Sequence, residues 1–231
     1  ETMVETKKMP QSVHEFALLD MVFSNSPEYF LSRHQLGCTS SRYVFFPGCQ
    51  LGASAPENVR AAYEDLTKRL TGGVGLILGC CGAIADWAGR RQLFAQQLAQ
   101  LAQALEAMGN PVVITACPTC YEVLKTHLSK LEVRGIWQVL DEIGLPPECQ
   151  PKTRRLAIHD ACTTRYDSET QAAVRQLAKQ CGCELEELPY HHETTPCCGF
   201  GGLTQYADKQ VAKEMVQQRI TQSPLTYLTY C

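Results

Sequence analysis

The sequence predicts an α/β protein with two pseudo-symmetric halves, each a small, mostly parallel sheet flanked by helices. Short apolar runs alternate with longer amphipathic stretches, an order typical of parallel sheets with helical crossovers. A cysteine pattern occurs twice along the 231 residues at similar spacing. The proline-containing stretch 141–153 lies between the two occurrences, so we interpret it as a linker.

The first half is predicted to span residues 41–140. Three short apolar runs favour buried strands, and the intervening amphipathic stretches favour helices, one with a proline in its first turn and a Gly-Gly stop. The predicted strands are 43–46, 74–78 and 111–115, and the predicted helices are 57–70, 90–108 and 121–131. Residues 1–40 have no strong period and are interpreted as an N-terminal lead-in or linker.

The second half, residues 154–231, repeats this order. Its predicted strands are 155–159, 184–188 and 225–230, and its predicted helices are 169–180 and 208–220. Strands that alternate with helices in this way bring the carboxyl ends of a parallel sheet to one edge, where ligands bind in such folds.

Nine of the thirteen cysteines form the repeated pattern, and each follows a predicted strand. The first set is Cys49, Cys80, Cys81, Cys117 and Cys120; the second set is Cys162, Cys197, Cys198 and Cys231. Since the strand ends share an edge, we expect the cysteines of each half to form one compact site.

Grouped thiolates are the soft ligands that iron–sulfur clusters and zinc require. Adjacent thiolates strain a single tetrahedral ion, so clusters are favoured, while zinc remains an alternative. A thioredoxin-like use of Cys117 and Cys120 is also open. The remaining cysteines have no counterpart in the other half and are interpreted as small apolar residues rather than ligands; they are Cys38, Cys149, Cys181 and Cys183.

Composition limits the classes of binding partner and the redox compartment that we expect for this protein. The net charge is −3 with no basic stripe, which argues against nucleic acid. No apolar run is long enough to span a bilayer, and there is no signal-peptide core. Adjacent cysteine pairs fit a disulfide framework poorly, so a reducing cytoplasm is predicted over a disulfide-stapled secreted protein. The absence of an initiator Met leads us to expect a fragment of a longer chain.

Five further residues accompany the pattern. Gly82 and Gly199 follow the cysteine pairs and would allow close backbone approach to a cluster, with their N–H groups directed at its sulfide. His159, His191 and His192 flank the second set and are candidate proton donors; the alternative for each is a structural, hydrogen-bonded histidine.

Several short strings together resemble one known family. These are Phe-Pro-Gly-Cys at 46–49, Gly-Cys-Cys-Gly at 79–82, Cys-Pro-Thr-Cys at 117–120, His-Asp-Ala-Cys at 159–162 and Pro-Cys-Cys-Gly-Phe-Gly-Gly at 196–202. They resemble the cysteine-rich CCG domain family, whose type member is a component of heterodisulfide reductase. The resemblance covers about residues 43–231 and includes both repeats.

The resemblance implies up to two [4Fe-4S] clusters of the non-cubane type. The first set would bind one cluster and the second set the other. The family pattern ends in a second C-x2-C, whereas this sequence stops at Cys231, so we expect a C-terminally truncated second half with an incomplete second site. Ferredoxin-like and flavin-containing subunits or domains are the implied redox partners.

The function favoured at this point is reduction of a small disulfide substrate by one-electron steps at CCG-bound clusters. The protein would then be an oxidoreductase component, heterodisulfide reductase-like, that is active only with electron-donating partners. One alternative is an electron-transfer relay module of a larger flavin-dependent oxidoreductase. The other is a zinc-bound interaction domain.

Overall fold

The computed structural model describes residues 11–231, and it confirms the α/β class with two halves. The chain divides into two compact units, one ending at Arg134 and the other running from Gly135 to Cys231. The first ten residues of the predicted lead-in lie outside the described part. The rest of that segment contributes a helix and a strand to the first unit.

The first unit is built on a five-stranded sheet. Its strands are β1 (Leu31–Arg33), β2 (Tyr43–Phe46), β3 (Val74–Leu78), β4 (Val112–Thr115) and β5 (Val133–Gly135), in the order β1-β3-β2-β4-β5. Strand β2 pairs in parallel with β3 and β4, and β1 pairs with β3 antiparallel. The parallel centre was predicted from the sequence, whereas the short antiparallel edge strand was not.

Between residues 11 and 134, six α-helices accompany this sheet. They are α1 (Glu15–Ser24), α2 (Cys49–Ser54), α3 (Pro56–Arg69), α4 (Ala83–Trp87), α5 (Arg91–Ala107) and α6 (Pro118–His127). Helix α6 begins three residues earlier than predicted, so Cys120 lies in its first turn. The core joins the sheet to the helices through fully buried side chains such as Phe46, Ile77, Leu101 and Leu105.

The second unit contains a three-stranded, wholly parallel sheet. Its strands are β6 (Arg154–His159), β7 (Cys183–Glu187) and β8 (Thr226–Thr229), and its helices are α7 (Ile136–Ile143), α8 (Ser168–Gln180), α9 (Thr204–Ala207) and α10 (Lys209–Ile220). Helix α7 falls in the second unit, although residues up to 140 were predicted to belong to the first half. The core of the second unit includes Ile158, Val174 and Tyr230.

The two sheets repeat one topology. The strand order β7-β6-β8 matches β3-β2-β4: in each case the first strand is central, and the next two flank it in parallel. Parallel pairing places the carboxyl ends of the three strands at one edge of each sheet. Within the part of the chain that the structure describes, no helix has the length and apolarity needed to cross a bilayer.

Candidate metal centre

The first cysteine set is brought together at the carboxyl edge of the first sheet. Cys49 begins α2 after strand β2, Cys80 and Cys81 follow β3, and Cys117 precedes α6 after β4. The sulfur atoms of Cys49 and Cys80 are 3.3 Å apart. Three separate strand ends therefore deliver thiols to one place, as the spacing predicted.

Each of the five thiols of this set interacts with at least one other thiol of the set. Besides the contact of Cys49 with Cys80, hydrogen bonds join the thiols of Cys80 and Cys81, of Cys81 and Cys120, and of Cys120 and Cys117. Cys80, Cys81 and Cys120 are buried, and Cys49 and Cys117 are half-buried. The result is a continuous group of five sulfurs with limited access to solvent.

The thiols differ in how readily they lose a proton. Hydrogen bonds from the thiols of Cys120 and Cys80 lower the pKa of Cys81 to about 5. The Cys120 thiol and the N–H groups at the start of α6 lower the pKa of Cys117 to about 6, as is usual for a thiol at a helix N-terminus. The thiols of Cys49, Cys80 and Cys120 have raised pKa values, because each donates to a neighbouring sulfur and is largely desolvated.

Asn25 fixes the backbone of this site, a role that was not predicted from the sequence. It is buried directly after α1. Its Oδ1 accepts from the N–H of Cys80 at 2.7 Å, and its Nδ2 donates to the carbonyl of Cys80 at 3.0 Å and to Oε1 of Gln97 at 2.6 Å. Nothing in the local sequence signals this role, since Asn25 sits in a turn-like Ser-Asn-Ser-Pro string.

The glycines after the cysteine pairs allow a left-handed backbone turn, and their N–H groups approach cysteine sulfurs. Gly82 and Gly199 both adopt positive φ angles, +87° and +83°, which glycine tolerates best. The N–H of Gly82 bonds the sulfur of Cys80, and the N–H of Gly199 lies 3.4 Å from the sulfur of Cys197. A Cβ on Gly82 would meet side chains of α5, and a Cβ on Gly199 would meet residues of α10, rather than cysteines.

Gly48 is the glycine that faces the thiols, and it was not among the predicted site residues. It has φ +90°, and a Cβ built there would lie 3.2 Å from both the Cys120 sulfur and the Cys117 Cβ. The only signal in the sequence is its place in the Phe-Pro-Gly-Cys string. A hydrogen at this position leaves room for the thiol group.

The second cysteine set is more open than the first. Cys162 begins a 3-10 turn after β6, and its thiol contacts that of Cys197. Burial, and then the nearby Cys197 and Cys198 thiols, raise the pKa of Cys162. These three cysteines are half-buried, whereas Cys231, after strand β8, is exposed. The structure thus brings Cys162, Cys197 and Cys198 together.

His159 occupies a buried position at the end of β6. Its Nδ1 accepts a hydrogen bond of 2.9 Å from Nε of Arg219. Burial and the Arg219 charge lower the pKa of His159 to about 4, so its imidazole is neutral at neutral pH. This geometry suits a structural histidine.

His191 and His192 are more accessible. Their ligand atoms and that of Glu187 lie within 4.8 Å of one another, an arrangement that could hold a metal ion. However, both carboxylate oxygens of Glu187 already accept hydrogen bonds from Arg175, at 2.6 and 2.8 Å. The two histidines remain candidates for proton transfer in the loop that leads to Cys197.

The four cysteines outside the pattern are not gathered with either set in the described structure. Cys38 is exposed, and Cys149, Cys181 and Cys183 are half-buried; that these four are not ligands stays a prediction. Cys183 begins β7 and therefore lies at the amino ends of the strands, away from the carboxyl edge. The sulfurs of Cys149 and Cys181 are 4.0 Å apart.

The donor chemistry of the first set fits a polynuclear iron–sulfur cluster. Thiolate sulfur is the ligand type such clusters take. A structural zinc ion takes four ligands, whereas five cysteine thiols converge here. No disulfide joins any of the cysteines in the described residues, so the thiols are available as ligands.

Comparison with known proteins agrees with this arrangement. A family model described as a cysteine-rich domain, CCG, matches residues 43–125 and 156–224, one match in each half. A curated relative, the EtfAB:quinone oxidoreductase of Syntrophomonas wolfei subsp. wolfei (strain DSM 2245B / Goettingen), is 23% identical over 191 residues. That alignment covers 77% of this chain and 26% of the relative, so this chain spans about a quarter of the relative's length.

Proposed function

Because this chain belongs to the CCG family of cysteine-rich domains, we propose that it is an iron–sulfur electron-transfer module of a larger oxidoreductase. The observation that carries the proposal is the convergence of five thiols from three strand ends in the first unit. An iron–sulfur cluster, when bound, supplies one-electron transfer at a potential tuned by its protein surroundings.

Cys49, Cys80, Cys81, Cys117 and Cys120 would hold the first cluster. Cys81 and Cys117 have pKa values of about 5 and 6, so these thiols are ionised at neutral pH and ready to act as ligands. The other three must release protons on loading. The N–H groups of Gly82 and of the first turn of α6 bond the cysteine sulfurs, which favours the reduced state of a bound cluster.

Cys162, Cys197, Cys198 and Cys231 would hold the second cluster. Their greater exposure supports a role nearer to the electron acceptor. The first set, mostly buried, then suits the internal part of the relay. Water is better excluded from the first set than from the second.

The relative's name supports the choice of partners. An EtfAB:quinone oxidoreductase is named for an electron-transfer reaction between EtfAB and a quinone. We therefore propose that this module takes part in the same class of reaction, with electrons entering from a flavin-bearing partner and leaving to a quinone. No G-x-G-x-x-G follows a strand in this sequence, so the flavin would belong to the partner.

A second candidate is reduction of a small disulfide at the second set. The exposure of Cys231 and of the His191–His192 loop favours it, because a substrate needs access and a departing thiolate needs a proton. His159 is unsuited to that proton transfer, since it is buried and neutral. In this candidate His191 or His192 protonates the product thiolate.

An anaerobic oxidation assay separates the two candidates. The protein is reconstituted with iron and sulfide, reduced by a one-electron dye, and mixed with a short-chain quinone or with a small aromatic disulfide. The relay proposal predicts rapid oxidation by quinone, which is lost in a Cys198→Ser variant because the second set faces the acceptor, and is kept in Cys38→Ser. Disulfide reduction predicts oxidation by the disulfide, lost in Cys198→Ser. Failure of both acceptors to oxidise the reduced protein would overturn the proposed function.

A further inference from the structure

We propose that Asp160 is the positioning residue that assembles the second cysteine set, a role that rests on the proposed cluster at that set. Asp160 is a carboxylate with 0% exposure, located two residues before Cys162. A buried carboxylate is costly unless its lone pairs are fully engaged. The hydrogen-bond donors to the Asp160 carboxylate therefore show which chain segments it holds in place.

Four donors reach the carboxylate. Arg175 donates from Nη1 to Oδ1 and from Nη2 to Oδ2, both at 2.9 Å. The backbone N–H of His192 donates to Oδ2 at 2.8 Å, and the Tyr230 hydroxyl donates to Oδ1 at 2.8 Å. A bidentate arginine and two further donors form the strong, charge-assisted kind of network.

The partners lie in the segments that carry the cysteines. Tyr230 immediately precedes Cys231, and its hydroxyl ends on Asp160. The loop leading to Cys197 is bonded twice, by the N–H of His192 on the carboxylate and by Oγ1 of Thr195 on the Asp160 carbonyl at 3.0 Å. One residue thus ties together the three chain segments that bear Cys162, Cys197 and Cys231.

A second layer of hydrogen bonds cross-links the same segments. Thr164 Oγ1 and the Tyr230 hydroxyl lie 3.0 Å apart, joining the segment after Cys162 to the segment before Cys231. Nε of Arg165 donates to the Thr195 carbonyl at 2.9 Å, which joins the segment after Cys162 to the loop that leads to Cys197. Thr164 and Thr195 are both 1% exposed, so water cannot easily replace these bonds.

Arg175 explains why a carboxylate is used. Its guanidinium bridges Asp160 and Glu187, which ends strand β7. An asparagine at position 160 would turn an N–H group toward arginine or toward another donor, and no orientation of the amide would satisfy all four partners. The network therefore specifies a charged carboxylate at this place.

Tyr230→Phe tests the role with little change in shape. It removes the hydroxyl that links Asp160 and Thr164 to the Cys231 segment. Tyr227→Phe is the matched control, because Tyr227 lies in strand β8, three residues before Tyr230, and its hydroxyl donates to the Arg219 carbonyl at 2.8 Å and not to Asp160. Both variants, and the unaltered chain, are reconstituted anaerobically with iron and sulfide, and circular dichroism verifies that they fold.

The readouts are iron release to a chelator and the midpoint potential and EPR signal of each cluster. We expect Tyr230→Phe to release iron from the second site about tenfold faster than Tyr227→Phe, and to shift the EPR signal and potential of the second cluster alone. Thr195→Val, which removes the bond to the Asp160 carbonyl, should do the same and covers the case in which Tyr230→Phe does not fold. Equal behaviour of these variants and Tyr227→Phe would overturn the positioning role.

A Cys197→Ser/Cys198→Ser variant separates this inference from the proposed function. Loss of about half of the iron in that variant supports the second cluster, and the comparison of tyrosine variants then decides the role of Asp160. Full retention of iron would overturn the second cluster itself and, with it, the positioning role.

Discussion

The side chain of Asn25 pairs with both backbone polar groups of Cys80. Oδ1 accepts from the Cys80 N–H at 2.7 Å, and Nδ2 donates to the Cys80 carbonyl at 3.0 Å. Gln100 holds the Asn25 carbonyl in turn, at 2.8 Å. The segment that precedes strand β2 therefore supports the first cysteine set, because Asn25 fixes the loop that carries Cys80.

Replacing Asn25 with Ala should destabilise the first unit by about 2–4 kcal/mol, since two buried backbone groups of Cys80 lose their partners. Chemical denaturation in a Trp137→Phe background, with Trp87 fluorescence as the probe of this unit, measures the change. Ser24→Ala is the control, because its hydroxyl makes one exposed bond to the Asp20 carbonyl. An Asn25→Ala variant as stable as Ser24→Ala would contradict this explanation.

Gly48 should be intolerant of a methyl group because of the thiols beside it. Gly48→Ala places a Cβ 3.2 Å from the Cys120 sulfur at φ +90°. Gly37→Ala is the matched control, with φ +82° and no atom within 4 Å of its added Cβ. The free energy of unfolding should fall by about 1 kcal/mol in the control, from backbone strain alone. It should fall by more in Gly48→Ala, and this variant should also bind less iron. Equal losses in both measurements would show that the thiols do not restrict this position.

The metal-free, reduced protein should be alkylated at Cys117 before Cys49. Both thiols are half-buried, but the pKa of Cys117 is lowered to about 6 and that of Cys49 is raised. The thiolate is the reactive form. Iodoacetamide labelling across the pH range around neutrality, followed by peptide mass spectrometry, should show that Cys117 labelling reaches half its maximum near pH 6. A Cys49 that reacts as fast as Cys117 at neutral pH would refute the assignment.

The second unit should lose stability as the pH falls from about 6.5 to about 4. His159 has a folded pKa of about 4 against an ordinary value of 6.5, so over this range the unfolded chain binds a proton that the folded unit excludes. The stabilisation is complete above the unfolded pKa and amounts to at most about 3 kcal/mol. Burial would raise the pKa of Asp160, but its hydrogen bonds lower it to about 2, so its contribution is lost only below its ordinary pKa of 3.8.

Denaturation at several pH values in a Trp87→Phe background checks this, because Trp137 packs against Tyr230 in the second unit. A His159→Gln variant can still accept the hydrogen bond from Arg219 and lacks the titration. Its stability should therefore depend less on pH in this range. The same pH dependence with and without His159 would assign the acid sensitivity to other groups.

Much of this fold could be predicted because its signals are local. The apolar run of β2 and the glycines after α3 are enough to place both elements to within a residue or so. The parallel topology then explains how cysteines far apart in sequence meet at one edge. Thus the convergence of Cys49, Cys80 and Cys117 follows from strand order alone.

What could not be predicted depends on contacts between distant residues. Strand β1 is only three residues long and is stabilised by pairing with β3, so no period marks it. Asn25 and Asp160 act through hydrogen bonds to residues tens of positions away. The neutral state of His159 likewise depends on Arg219, 60 residues along the chain.

We propose that both cysteine sets bind iron–sulfur clusters, and metal analysis of anaerobically purified protein is the direct measurement of that binding. Iron, acid-labile sulfide and zinc are measured per chain, with an EPR spectrum of the same reduced sample. We expect about eight irons with matching sulfide and two distinct EPR signals, the content of two [4Fe-4S] clusters. Zinc bound without iron or sulfide would contradict the binding of iron–sulfur clusters by the two cysteine sets.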